Sequence, residues 1–120
     1  MFELSVEGHF DAAHFLRGYG GKCEALHGHR FRTVVGIRAE KTNSIGIVYD
    51  FVELRLKLHS VVSQLDHTLL NDLPAFQQEN PSSENLARFI YQELAPKLEG
   101  VELAYVEVWE SPESRARFIP

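Results

Sequence analysis

The sequence predicts an α+β fold, a four-stranded antiparallel sheet with two helices on one of its faces. Three observations point there. Apolar residues recur with period two near both ends of the chain and with a helical period between them. The segments run strand, strand, strand, helix, helix, strand, and such segregation favours an antiparallel sheet over βαβ units. No repeat, low-complexity tract or linker divides the 120 residues, so residues 1–120 read as a single domain. One sheet face is then left without a covering layer. In a chain this short that face needs polar residues or a partner subunit.

The first strand is Phe2 to His14, where Phe2, Leu4, Val6, Phe10, Ala12 and His14 share one parity. Gly8 is a point where it can bend. Gly18, Gly20 and Gly21 mark residues 17 to 25 as a loop. The second strand, His29 to Glu40, puts His29, Phe31, Thr33, Val35 and Ile37 on one side, and His27 joins them if the strand starts early. A polar turn from Lys41 to Ser44 leads to Ile45–Tyr49, expected as a third, hairpin strand. Asp50, with Glu53 three residues on, resembles a capping box. The helix that follows should bury Phe51, Leu54, Leu58, Val61, Val62 and Leu65. A second helix starts at Ser82 or Ser83, buries Leu86, Phe89, Ile90 and Leu94, and stops or kinks at Pro96. In the last strand, Val101 to Trp109, an apolar row of Ala104, Val106 and Val108 ends on the carboxylate of Glu110.

Twelve basic residues stand against seventeen acidic ones, a net charge of −5 that argues against a nucleic-acid partner. It leaves room for a small anion held by a few arginines, for which Arg30, Arg32, Arg115 and Arg117 are candidates. Cys23 is the only cysteine, so no disulfide supports the fold, and a reducing cytoplasm suits the free thiol. The acidic, alternating N-terminus is unlike a signal peptide, and no apolar run approaches the roughly 20 residues of a membrane span. The expectation is a cytoplasmic protein with no membrane association.

Six histidines are the compositional oddity, and His9, His14, His27 and His29 crowd the first quarter of the chain. His27 and His29, two apart on a strand, project to one side, and His14 can join them from an antiparallel neighbour. Three neutral imidazoles with an open fourth position are the arrangement of catalytic zinc. An isolated HxH is more often structural, but His14 on an apolar parity favours metal. Cys23 has several open roles. A buried cysteine is usually a small core residue, whereas a loop thiol beside Lys22 and a metal cation favours thiolate, as ligand, nucleophile or general base. Asp66-His67 reads either as the end of a helix or as a carboxylate-oriented histidine for proton transfer, and alone the former is the commoner role. Glu110 is an ordinary strand-end acid unless it faces a pocket, where it can accept two hydrogen bonds from an aminopyrimidine. His9 and His59 fit no cluster and are expected at the surface.

The segments FDAAH (Phe10 to His14), CEALHGH (Cys23 to His29), GIVYDFVELR (Gly46 to Arg55), LDHTLLND (Leu65 to Asp72), NPSSENLA (Asn80 to Ala87) and the terminal WES occur in this order over nearly the whole chain. Together they resemble the 6-pyruvoyl-tetrahydropterin synthase family. The short CxxxHGH spacing is similar to its bacterial branch, the 6-carboxy-tetrahydropterin synthases of queuosine biosynthesis.

The resemblance implies a T-fold (tunnelling fold) subunit whose trimers close their sheets into a barrel and stack in pairs as hexamers, with active sites between subunits. It implies Zn2+ on His14, His27 and His29, Cys23 as general base, Asp66 and His67 as proton relay, and Glu110 as anchor of the pterin ring. The implied substrate is 7,8-dihydroneopterin triphosphate and the implied product the 6-carboxy pterin. Rival readings are a pyruvoyl or hydroxymethyl product within the family, or a non-catalytic pterin- or metal-binding module.

Overall fold

In the computed structural model, which describes residues 1–120, the fold is built on a long hairpin of β1 (Phe2–His14) and β2 (His27–Ala39). Its register runs from Phe2 opposite Ala39 to His14 opposite His27, which lays the apolar parity of both strands on one face. β2 does start early, at His27, and so delivers His27 and His29 to the side that carries His14. The chain continues through α1 (Phe51–Val62), β3 (Thr68–Leu69), α2 (Ser83–Leu94), β4 (Glu102–Ser111) and β5 (Ser114–Phe118). The sheet order is β3-β1-β2-β4-β5, and every pairing is antiparallel except the short contact of β3 with Ala12 and Ala13.

The α+β class and the two helices match expectation, but the sheet has five strands and a different membership. Ile45–Tyr49 is not a strand. The Asn43 side chain accepts hydrogen bonds from the Ile45 and Ile47 amides, the Asn43 amide donates to the Ile47 carbonyl, and Gly46 turns at a φ of 84°. This local turn uses the backbone groups that a ladder would need. β3 and β5 take the vacant places. The first is too short to show a period, and the second alternates Ser114, Ala116 and Phe118 with two arginines.

Asp50 caps α1 by accepting from the Val52 and Glu53 amides, while Glu53 pairs with Lys57 at 3.0 Å instead of closing a capping box. Leu54, Leu58, Val61, Val62 and Leu65 are buried as expected. Phe51 is half exposed, on the wall of an open groove that it shares with Phe2 and Ile47. A Cβ at Gly8 would sit 3.3 Å from the Leu58 side chain, so glycine lets α1 lie close on β1. Ser82 caps α2, Leu86, Ala87, Ile90 and Leu94 are fully buried, and Pro96 falls in the 3-10 turn that ends the helix. α1 lies on β1 and α2 on β4 and β5, and they share one core with Phe10, Phe31, Val35 and Val106.

The opposite sheet face is polar. Cross-strand ion pairs Glu3–Arg38 (2.8 Å), Glu7–Arg32 (2.7 Å) and Asp11–Arg30 (3.4 Å) run along it. The outer edges of β5 and of most of β1 have no strand partner. No helix is long and apolar enough to cross a membrane.

Candidate active site

At the end of the hairpin the two strand registers bring three imidazoles together. Ring centroids are 4.6 Å apart for His14 and His27, 5.3 Å for His14 and His29, and 4.8 Å for His27 and His29. One nitrogen from each lies within 4.8 Å of the others. His14 is fully buried, and its Nδ1 lies 2.7 Å from the Pro81 carbonyl. A carbonyl only accepts, so Nδ1 carries the hydrogen and Nε2 the lone pair. Burial lowers the His14 pKa below its usual 6.5, and this outweighs the Pro81 hydrogen bond that opposes it. Its Nε2 is the one buried side-chain polar atom without a hydrogen-bond partner. The His27 Nδ1 donates in the same way to the Ala25 carbonyl at 2.7 Å. Backbone carbonyls fixing two tautomers, with the far nitrogens free and convergent, are the outer support that metal-binding imidazoles need. An orphaned neutral Nε2 among two other imidazoles fits a zinc-type ion.

Two asparagines put Pro81 in place. Asn71 exchanges paired hydrogen bonds with the backbone of Phe15, and Asn80 does so with the backbone of Arg17. Arg17 adds a bond to the Phe76 carbonyl at 3.0 Å. These ties hold the 71–80 loop against the end of β1, so the carbonyl after Asn80 meets the His14 ring. Sequence reading missed this support. The asparagines of LLND and NPSS were its only trace, and a backbone carbonyl leaves no mark in a sequence.

Glu110 comes to the same place by a break in the ladder. Trp109 pairs with Arg115 and Ser111 with Ser114, so Glu110 is the extra residue of a β-bulge. Bulges re-aim a side chain, and here Glu110 Oε1 comes to 3.9 Å from His14 Nε2. Cys23, half-buried in the 3-10 turn Lys22–Glu24, lines a cavity of about 580 Å³ together with Glu110, Ser82 and Ser83.

Asp66 and His67 form the expected pair, with Asp66 Oδ2 2.9 Å from His67 Nδ1. The Asp11 amide donates to Asp66 Oδ1 at 2.8 Å, and the His67 amide donates to the Asp11 carbonyl. The Asp11 amide and the His67 side chain hold the Asp66 carboxyl below its usual pKa. His67 adopts a left-handed φ of 56°, the only non-glycine residue to do so, and its side chain is largely exposed. Within one chain the pair does not reach the Cys23 cavity. His67 lines a separate, shallow one of about 560 Å³ with Asp11 and His29. Sequence reasoning thus grouped residues that one chain only partly brings together. His9 and His59 are exposed and stand apart, as expected.

A sheet rim that gathers three imidazoles, two of them tautomer-fixed, with a bulged carboxylate and a thiol-lined cavity defines a candidate metal-dependent enzyme on an α+β scaffold. The chain belongs to the 6-pyruvoyl tetrahydropterin synthase family, whose description matches residues 3–119. It is 38% identical to the 6-carboxy-5,6,7,8-tetrahydropterin synthase of Synechocystis sp., over 98% of this chain and 93% of that protein. It is 36% identical to the dihydroneopterin monophosphate aldolase of Pyrococcus furiosus, over 87% of this chain and 85% of that one. Among solved structures, the 6-pyruvoyl tetrahydropterin synthase of Caenorhabditis elegans superposes with a TM-score of 0.90 at 25% identity, covering 99% of this chain and 95% of its own. The fold is therefore the T-fold of that family.

Proposed function

We propose that the chain catalyses the zinc-dependent conversion of 7,8-dihydroneopterin triphosphate and water to 6-carboxy-5,6,7,8-tetrahydropterin, acetaldehyde and triphosphate, a step toward queuosine-type deazapurines. The observation that carries this reading is the partnerless Nε2 of His14, set among His27 and His29 and facing Glu110. The relative from Synechocystis, named for that product, supports the choice of reaction.

His14, His27 and His29 would hold the zinc, which supplies Lewis-acid stabilisation for negative charge developing on the substrate side chain. Glu110 accepts hydrogen bonds from the amino group and ring N–H of the pterin and so fixes its orientation. Cys23, in the cavity wall beside Glu110, moves protons at pterin C6 and the side-chain carbons. Asp66 orients His67 through Nδ1, which leaves His67 Nε2 to handle a second proton. Because Asp66 and His67 lie outside the Cys23 cavity of their own chain, the complete site forms between subunits. The free edges of β1 and β5 suit trimers that close their sheets into a barrel and stack as hexamers in a reducing cytoplasm.

The aldolase relative favours a second reading, cleavage to 6-hydroxymethyl-dihydropterin. Glu24, next to Cys23, is the carboxylate that such a cleavage could use. It accepts from the Gly18 amide at 3.0 Å within its own loop, however, and it is Cys23 that lines the cavity with Glu110, which favours the first reading. Mass analysis of products from 7,8-dihydroneopterin triphosphate separates carboxy, pyruvoyl and hydroxymethyl pterins. A carboxy pterin with acetaldehyde supports the proposal, and either other pterin as the main product overturns it.

A further inference from the structure

Glu107 is the only carboxylate that the fold buries, at 5% exposure, and no step of the proposed reaction uses it. It lies on the polar sheet face, on the strand parity opposite to Glu110. Its Oε1 accepts from the Trp109 indole Nε1 at 3.0 Å. Its Oε2 accepts from Arg115 Nη1 at 3.0 Å and Arg117 Nε at 2.9 Å, with Arg117 Nη2 as a further donor. The Arg32 and Arg115 guanidiniums lie 4.8 and 5.4 Å from the Trp109 ring, so the indole is held by its edge and by its π-system.

The residues held in this way border the bulge. Trp109 and Arg115 are the last β4–β5 pair before it, and Glu110 is the residue it expels. One buried carboxylate bonds to both members of the pair from which Glu110 springs. Charge-assisted bonds in a buried setting resist rearrangement, because losing one partner leaves the others unpaired.

We propose that Glu107 is a positioning residue for Glu110: by tying Trp109 to Arg115 across β4 and β5 it fixes the bulge and aims the Glu110 carboxylate at the space in front of His14. The inference rests on the reading of Glu110 as the pterin anchor. Glu107 touches no reactant and acts only through the geometry of its neighbour.

The test measures binding of unsubstituted pterin, which offers the ring edge without a reacting side chain, to the zinc-loaded full-length protein by fluorescence titration. Steady-state kinetics and zinc content accompany it. The variants are Glu107→Gln, Glu110→Gln, their double variant, and Trp109→Phe, which keeps an aromatic side chain and removes the indole N–H that bonds to Glu107. Glu107→Gln is expected to weaken pterin binding roughly five- to tenfold. KM should rise in step, kcat should change little, and zinc content should stay the same. Trp109→Phe should act in the same direction, and it carries the test alone if Glu107→Gln does not fold. In the Glu110→Gln background, Glu107→Gln should have no further effect. An equal loss in both backgrounds, or wild-type affinity in a folded Glu107→Gln or Trp109→Phe protein, overturns the proposal. Wild-type pterin affinity in Glu110→Gln is a separate outcome, which removes the anchor reading and this inference with it.

Discussion

The Nδ1 of His14 lies 2.7 Å from the carbonyl oxygen of Pro81, and this bond decides what the opposite nitrogen can do. It spends the one ring hydrogen on the backbone and leaves the buried Nε2 with a lone pair and no partner. Such an atom is costly in a core unless something is meant to bind it.

The His14 environment sets a pH dependence for the metal-free protein. Burial lowers the folded-state pKa of His14, so below about pH 6.5 the unfolded chain takes up its proton first. No stability is lost to this group above that pH. Below it, stability falls until the folded pKa is passed. The Tm of the metal-free protein should therefore drop as the pH falls below about 6.5, and the drop should be shallower in His14→Gln. Equal slopes in the two proteins would contradict the assigned state of His14.

Cys23→Ala should keep the fold and the zinc, since the thiol belongs to the cavity wall and the three imidazoles need no fourth protein ligand. Turnover should fall by about a hundredfold or more, the usual contribution of a positioned proton-transfer group. A near-wild-type rate would end its role as base.

Separation of His67 from the Cys23 cavity predicts complementation. Cys23→Ala and His67→Ala chains should each be nearly inactive. Mixed in equal amounts and co-assembled, they should recover about a quarter of wild-type turnover, because sites pairing an intact thiol with an intact imidazole then form across subunits. No recovery in verified mixed oligomers would place both residues in one chain's site.

Gly36 faces the Tyr105 ring so closely that any Cβ there would collide with it. Gly36→Ala should lower stability by about 1–3 kcal/mol, read as a fall in Tm, by forcing the ring off the sheet. Tyr105→Ala in the same chain should remove most of that added strain.

Much of this was legible in the sequence. Period two placed His14 on an apolar face, and a strand starting early placed His27 with it. The parity of Val106 and Val108 ran on to Glu110, although a register shift puts Leu103 in the core in place of Ala104. Asp50, Ser82 and Pro96 bounded the helices where they stand. What was not legible depends on contacts between distant segments or on backbone atoms. Ile45–Tyr49 carries a strand pattern, but Asn43 and Gly46 draw it into a turn. The Pro81 carbonyl, the bulge at Glu110 and the burial of Glu107 follow from register and loop closure, which no local periodicity encodes.

The central claim is that His14, His27 and His29 form a zinc centre on which turnover depends. Zinc per chain, measured alongside turnover of 7,8-dihydroneopterin triphosphate, tests it in the wild type, in chelator-stripped and zinc-restored protein, and in His29→Ala. Metal and activity should be lost together on stripping, return together with zinc, and both be absent from folded His29→Ala. Full zinc occupancy in His29→Ala, or undiminished turnover in stripped protein, would contradict it.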